Sequence, residues 1–113
     1  MQNQNLVSLL NSLIAQQTAL TDKLQSTADP GLAGTISTEI YEILHRIVLT
    51  QNLLFQSDSD QLKAAVAAVK NADGALSAAI AQMTKAADVI NAVSTYLGYV
   101  DKAIDLAKAA GLA

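Results

Sequence analysis

Two rows of apolar residues, each repeating every seven positions, run through the C-terminal half of the chain. The first row holds large side chains, at Leu62, Val69, Leu76, Met83, Ile90, Leu97 and Ile104. The second is mostly alanine, at Ala65, Ala72, Ala79, Ala86, Val93, Val100 and Ala107. Neither row contains a polar residue, a pattern typical of a helix packed lengthwise against another helix. The small residues favour a close approach of the two helices. We call these two rows the heptad seam.

The heptad seam predicts either one helix from about 59 to 110 or two helices separated by a turn. An unbroken helix would be about 75 Å long at 1.5 Å per residue, and we expect it because the heptad phase is kept throughout. The alternative is a turn within 91–98, where "NAVSTYLG" combines β-branched residues, a serine able to cap a helix, and Gly98. In either case the seam needs a covering partner.

The N-terminal half predicts a helical hairpin. Leucines at spacings of three and four indicate an amphipathic helix over about 5–27. The segment "ADPGLAG" then provides the strongest break in the chain, and a second helix over about 35–56 is expected to start at Thr35 or Ser37. Its apolar stripe is formed by Ile36, Ile40, Ile43, Ile47 and Leu54, broadened by Leu44, Val48 and Phe55. The sequence therefore predicts a single all-α domain over 1–113, an antiparallel bundle whose third helix is capped by Ser57, Asp58 or Ser59.

Composition limits the possible partners and the compartment. Seven basic residues against ten acidic ones, spread singly, leave no positive patch for nucleic acid. The chain has no cysteine, and its longest uncharged runs are too short or too polar to span a bilayer. We therefore expect a soluble, cytoplasmic protein with no transmembrane segment. The composition is similar to that of helical proteins handled by bacterial export machines, which leaves export without a cleavable signal open.

The stretch "EIYEILH" is the one candidate for metal chemistry. Glu42 and His45 have the Glu-x-x-His spacing of carboxylate-bridged di-metal bundles. They lie mostly opposite the apolar stripe of their helix, however, and Glu42 is spaced from Arg46 as a surface ion pair. We assign no catalytic, cofactor-binding or metal-binding residues, and we keep a dimeric metal-binding bundle as a remote alternative.

These observations predict a non-enzymatic helical protein that works by assembly or interaction. Its partner is expected to be a second copy, as a homodimer, or another helical protein. The predicted interface is the C-terminal part of the heptad seam, formed by Leu76, Ala79, Met83, Ala86, Ile90, Val93, Leu97, Val100 and Ile104. Three tyrosines are further candidate binding anchors, Tyr41, Tyr96 and Tyr99. The alternative is a monomeric bundle that neutralises or chaperones a specific protein, as immunity proteins and secretion chaperones do.

Overall fold

The computed structural model describes residues 2–112, with side chains described as far as residue 110. Four α-helices account for most of this range: α1 Gln4–Gln25, α2 Pro30–Asn52, α3 Asp60–Gln82 and α4 Ala86–Leu112. Residues 2–112 contain no β-strand. The all-α helical bundle predicted from the sequence is therefore confirmed.

The four helices occupy the corners of a square. The α1 helix packs against α2 and α3, and α4 packs against the same two helices, so α1 and α4 are diagonally opposed. The α1 and α2 helices are antiparallel, since the Asn3 N–H donates to the carbonyl of Leu54 across 2.6 Å. The α1 and α3 helices are parallel, because Asn5 bonds Asp58 at one end and Lys23 reaches the Ala81 carbonyl at the other. The α2–α3 connection therefore crosses one end of the bundle diagonally.

The α2 helix begins earlier than predicted, at Pro30 instead of Thr35 or Ser37. Proline suits the first turn of a helix, because its missing N–H has no intrahelical acceptor there and its φ is already helical. Asp29 caps the helix by accepting a hydrogen bond from the Gly31 N–H, at 3.0 Å. The glycines of "ADPGLAG" thus lie inside α2, and only the segment before Pro30 forms the break.

The chain reverses at Met83–Lys85, a position that no turn signal in the sequence indicates. The expected continuous helix is wrong, and the alternative turn at 91–98 falls inside α4. Met83 ends α3 in an extended conformation, with φ −73° and ψ 136°. The reversal lets α3 and α4 bury most of the heptad seam within one chain. The start of α3 does agree with the sequence, because Ser59 caps it by accepting from the Leu62 N–H.

The core lies along the axis of the bundle, between all four helices. The side chains that α1 and α2 contribute to this core are mainly leucine and isoleucine, including Leu9, Leu13, Ile36 and Ile43. Two alanines of α4, Ala103 and Ala107, are fully buried. Small buried side chains permit a short distance between helix axes. In this fold Ala107 of the alanine row therefore packs inside the chain's own bundle.

Candidate interaction surfaces

The predicted interface residues are largely occupied by the chain's own packing. Six of them are at most 8 % exposed: Leu76, Met83, Val93, Leu97, Val100 and Ile104. Ala79 and Ala86 are partly buried, and Ile90 keeps 47 % of its surface exposed. In the single chain, therefore, only these last three residues of the predicted interface offer surface to a partner. Self-association itself stays a prediction.

Two opposite sides of the square bundle are charged. The α1–α3 side has one shallow cleft containing Lys70 and Asp73 and another containing Asp22 and Lys23. The α2–α4 side carries four charged side chains in a single cleft, formed by Glu39, Glu42, Arg46 and Asp101. These two sides alternate with two others that carry few charges.

Arg46 organises the charges on the α2–α4 side. Its guanidinium donates to both carboxylate oxygens of Asp101, at 3.1 and 3.2 Å, and also pairs with Glu42 one turn earlier on α2. The hydrogen bond to Asp101 is the main reason that the pKa of Arg46 is raised. Partial burial raises the pKa of Glu39, and the nearby charge of Glu42 adds to this effect. The cluster ties α2 to α4.

The same contacts bear on the metal alternative. Glu42 is engaged by Arg46, and His45 is exposed on the outer surface of α2. Within residues 2–112 of one copy, no three His, Cys, Asp or Glu side chains come together as a metal site requires. Metal binding through Glu42 and His45 would therefore need ligands from a second copy.

The α1–α2 side presents large apolar side chains to solvent. Ile14, Tyr41 and Val48 are 42 %, 72 % and 54 % exposed. Each lies two residues from a side chain on a charged side: Ile14 from Ser12, Tyr41 from Glu39, and Val48 from Arg46. Two residues correspond to a rotation of about 160° around a helix. The three apolar residues therefore face away from the charged sides, along the flanks where α1 and α2 meet.

The exposed residues of the α1–α2 side also lie at matching heights. Because Asn3 is level with Leu54 in this antiparallel pair, Ile14 is level with about position 43, between Tyr41 and Val48. Half-buried Leu10 and Leu44 lie on the same flanks, and Phe55, 73 % exposed, follows in the turn after α2. The α1 helix has no charged residue before Asp22. The α1–α2 side therefore carries several large exposed apolar side chains away from the charged clefts.

The α3–α4 side is also nearly uncharged but differs in shape. Two hollows of about 440 and 410 Å³ lie on either side of Tyr99, which is half-exposed. Their α3 wall is mostly alanine, and among the described residues Lys102 is the one charged side chain that lines either of them. This side is a groove, whereas the α1–α2 side carries protruding groups.

A buried polar network joins α1, α3 and α4. Ser12 Oγ donates to Asp73 Oδ1 at 2.9 Å, so the Tyr96 hydroxyl, 2.7 Å away, donates to Ser12. Gln16 donates to the carbonyl oxygen and the carboxylate of Asp73 and to Ser77 Oγ. Ser12, Gln16 and Tyr96 are all buried. Burial raises the pKa of Tyr96 well above its ordinary range. These hydrogen bonds connect α1 to both α3 and α4.

This network could not be predicted from the sequence. Gln16 lies on the buried face of α1 as a polar residue among leucines, and Tyr96 was expected near a possible turn. No local pattern in the sequence indicates that Ser12, Asp73 and Tyr96 meet, because they are separated by 61 and 84 positions.

No protein-family model, curated protein sequence or solved structure matches this chain. Within residues 2–112, none of the four helices combines the length and apolar character needed to cross a bilayer.

Proposed function

We propose that the protein is a non-enzymatic assembly protein that associates with a second copy of itself through the α1–α2 side. One observation carries the proposal: Ile14, Tyr41 and Val48 are exposed together on a side of the bundle that lacks charge. Large apolar side chains exposed on the same side of a small protein are characteristic of interaction sites.

Charge favours a second copy as the occupant. Each chain has a net charge of −3, so two copies repel one another wherever their acidic residues approach. The α1–α2 side lets them meet without placing like charges in contact. Its size is also sufficient, because principal extents of 48 and 21 Å give one long side roughly 1,000 Å², and a standard interface uses about 800 Å² per partner.

The spacing on α2 suits packing against another helix. Tyr41, Leu44 and Val48 follow one another at intervals of three and four residues, which places them in one row along the helix. Phe55 continues the seven-residue interval after Val48. A row of this kind packs against an equivalent row on a partner helix, and tyrosine adds apolar area with a hydroxyl that can stay hydrated at the rim.

Sedimentation velocity over about 10 µM to 1 mM protein tests the proposal. We expect a reversible dimer whose association constant falls at least tenfold in Val48→Glu, because a dimer would bury two uncompensated carboxylates. Asn91→Glu is the matched control, since it adds the same charge at an exposed position of α4.

Two results would contradict self-association through this side. An unchanged association constant in Val48→Glu would place the interface elsewhere. A wild-type chain that remains monomeric at 1 mM protein would favour the alternative of a monomeric bundle, which uses the same side to bind a helix of another protein.

A further inference from the structure

The turn between α3 and α4 is short and structurally simple. It consists of Met83–Lys85, and the N–H groups of Asp88 and Val89 both donate to the Lys85 carbonyl. Met83 has extended backbone torsions, whereas Gln82 and Ala86 are already helical. A change of torsion angles at these three residues would join α3 and α4 into one straight helix. Such a segment can act as a hinge.

The heptad seam runs through this turn without a change of phase. Leu76, Met83 and Ile90 keep the seven-residue interval across it, as do Ala79, Ala86 and Val93. In the folded hairpin nothing requires that interval, because α3 and α4 run in opposite directions and are independent in phase. In a straight helix the same interval places all six residues on one face. The sequence therefore fits two arrangements of the same helices.

Exposure near the turn supports the second arrangement. Val93, Leu97, Val100 and Ile104 are buried in the monomer, whereas Ile90 is 47 % exposed and Ala86 is only partly buried. These two residues directly follow the turn on the seam. In a straight helix they lie on the same apolar face as Met83, where an antiparallel helix from a second copy would cover them.

We infer that the α3–α4 hairpin opens at Met83–Lys85 and that two copies exchange their α4 helices. In the exchanged dimer each α4 makes the contacts of the monomer, but with the α1, α2 and α3 helices of the other copy. The Arg46–Asp101 pair and the Ser12–Tyr96 hydrogen bond then form between chains. The two straight helices run antiparallel past each other at Met83 and Ile90. This exchange uses a different part of the molecule from the α1–α2 side.

Energy transfer between chains detects the exchange. Gln61 and Lys102 line the same hollow of the monomer, whereas a straight helix separates them by about 60 Å within one chain. The chain lacks cysteine, so Gln61→Cys in one sample takes only a donor dye and Lys102→Cys in another takes only an acceptor. The samples are mixed in denaturant and refolded together at about 1 mM protein. We expect efficient transfer in the dimer fraction, because α3 of one copy then packs against α4 of the other.

Ala86→Pro is the decisive variant. Ala86 is the first residue of α4, where proline is tolerated, but in a straight helix the same proline is internal and breaks it. We expect the monomer to keep its melting temperature and the exchanged dimer to be formed about 100-fold less readily or not at all. Insertion of two glycines between Thr84 and Lys85 is a second variant, which preserves a hairpin and shifts the seam out of phase. It should also abolish transfer.

The remaining outcomes separate exchange from association through the α1–α2 side. Energy transfer that persists in Val48→Glu supports exchange. A wild-type dimer that shows no energy transfer, and that no longer forms in Val48→Glu, supports the proposed function and overturns exchange. Transfer that is equally strong in Ala86→Pro and in the glycine insertion also overturns exchange, as does the absence of any dimer after refolding at 1 mM protein.

Discussion

Asp73 is the residue on which the polar part of the core depends. Its carboxylate accepts from Ser12 and Gln16, and its carbonyl oxygen accepts from Gln16 as well. Tyr96 extends the network to α4 through Ser12. Such a network stabilises only the helix register that pairs its members, because a buried polar group without a partner is costly. We interpret it as the feature that selects one arrangement of α1, α3 and α4.

Tyr96→Phe should lower stability and change its dependence on pH. Loss of the hydroxyl removes the hydrogen bond to Ser12, which is expected to cost about 1 kcal/mol at pH 7–9. Desolvation, with a smaller contribution from the charge of Asp73, raises the pKa of Tyr96 above its ordinary value of about 10. Above pH 10 the unfolded chain therefore loses this proton while the folded chain retains it. Wild-type stability falls as pH rises, by at most about 1.4 kcal/mol per pH unit from this group.

Chemical denaturation between pH 8 and 11 measures both effects. The difference in unfolding free energy between wild type and Tyr96→Phe should shrink above pH 10, because the phenylalanine variant has no phenol to ionise. Tyr41→Phe is the control, since Tyr41 is largely exposed. A difference that stays constant to pH 11 would show that Tyr96 ionises equally in both states.

At the scale of helices, the residues that each helix buries could be predicted from the sequence better than the residues at which a helix begins or ends. The apolar stripes of α1 and α2 are buried at Leu6, Leu13, Ile36 and Ile43, as their spacing indicates. Val48 and Phe55 were expected on the buried side and are exposed, since a stripe's width does not show how much of it a neighbouring helix covers. The start of α2 was misplaced because Pro30 was interpreted as a break, although proline also begins helices.

The turn at Met83–Lys85 was missed for a related reason. It contains neither glycine nor proline and it does not disturb the heptad phase. The residues that resemble a turn signal, around Ser94–Gly98, are helical instead, because Tyr96 and Leu97 are buried there against the rest of the bundle. Burial in the tertiary structure therefore makes this segment helical despite its local turn propensity.

Gly98→Ala distinguishes a turn at Met83–Lys85 from a turn at 91–98. Gly98 lies inside α4, and a Cβ atom built there meets nothing within 4 Å. Alanine is therefore expected to stabilise the fold by about 0.5–1 kcal/mol, through helix propensity and the lower entropy of the unfolded chain. Gly74→Ala in α3 is the matched comparison, because its surroundings are equally open. A loss of stability in Gly98→Ala alone, measured by thermal unfolding, would instead indicate a turn at 91–98.

At the scale of the whole molecule, four helices give a rod with alternating charged and uncharged sides. The α2–α4 side carries the ion pairs of Arg46 and the α1–α3 side carries two polar clefts, whereas the α1–α2 and α3–α4 sides carry apolar groups. The sequence predicted that an apolar surface would be left for a partner but placed it on the heptad seam. In this fold the reversal at Met83–Lys85 buries most of that seam within one chain, so the apolar side chains that stay exposed lie mainly elsewhere.

This distribution of charge makes salt dependence a test of which side mediates assembly. Association through the α1–α2 side buries no ion pairs, and each copy carries a net charge of −3. Raising NaCl from 20 to 500 mM shortens the Debye length from roughly 20 Å to about 4 Å and weakens the repulsion between copies. We expect the dimer association constant, measured by sedimentation equilibrium at pH 7, to stay constant or to rise up to about threefold. A fall of tenfold or more would instead place ion pairs such as Arg46–Asp101 in the interface, because pairs between chains weaken as salt screens them.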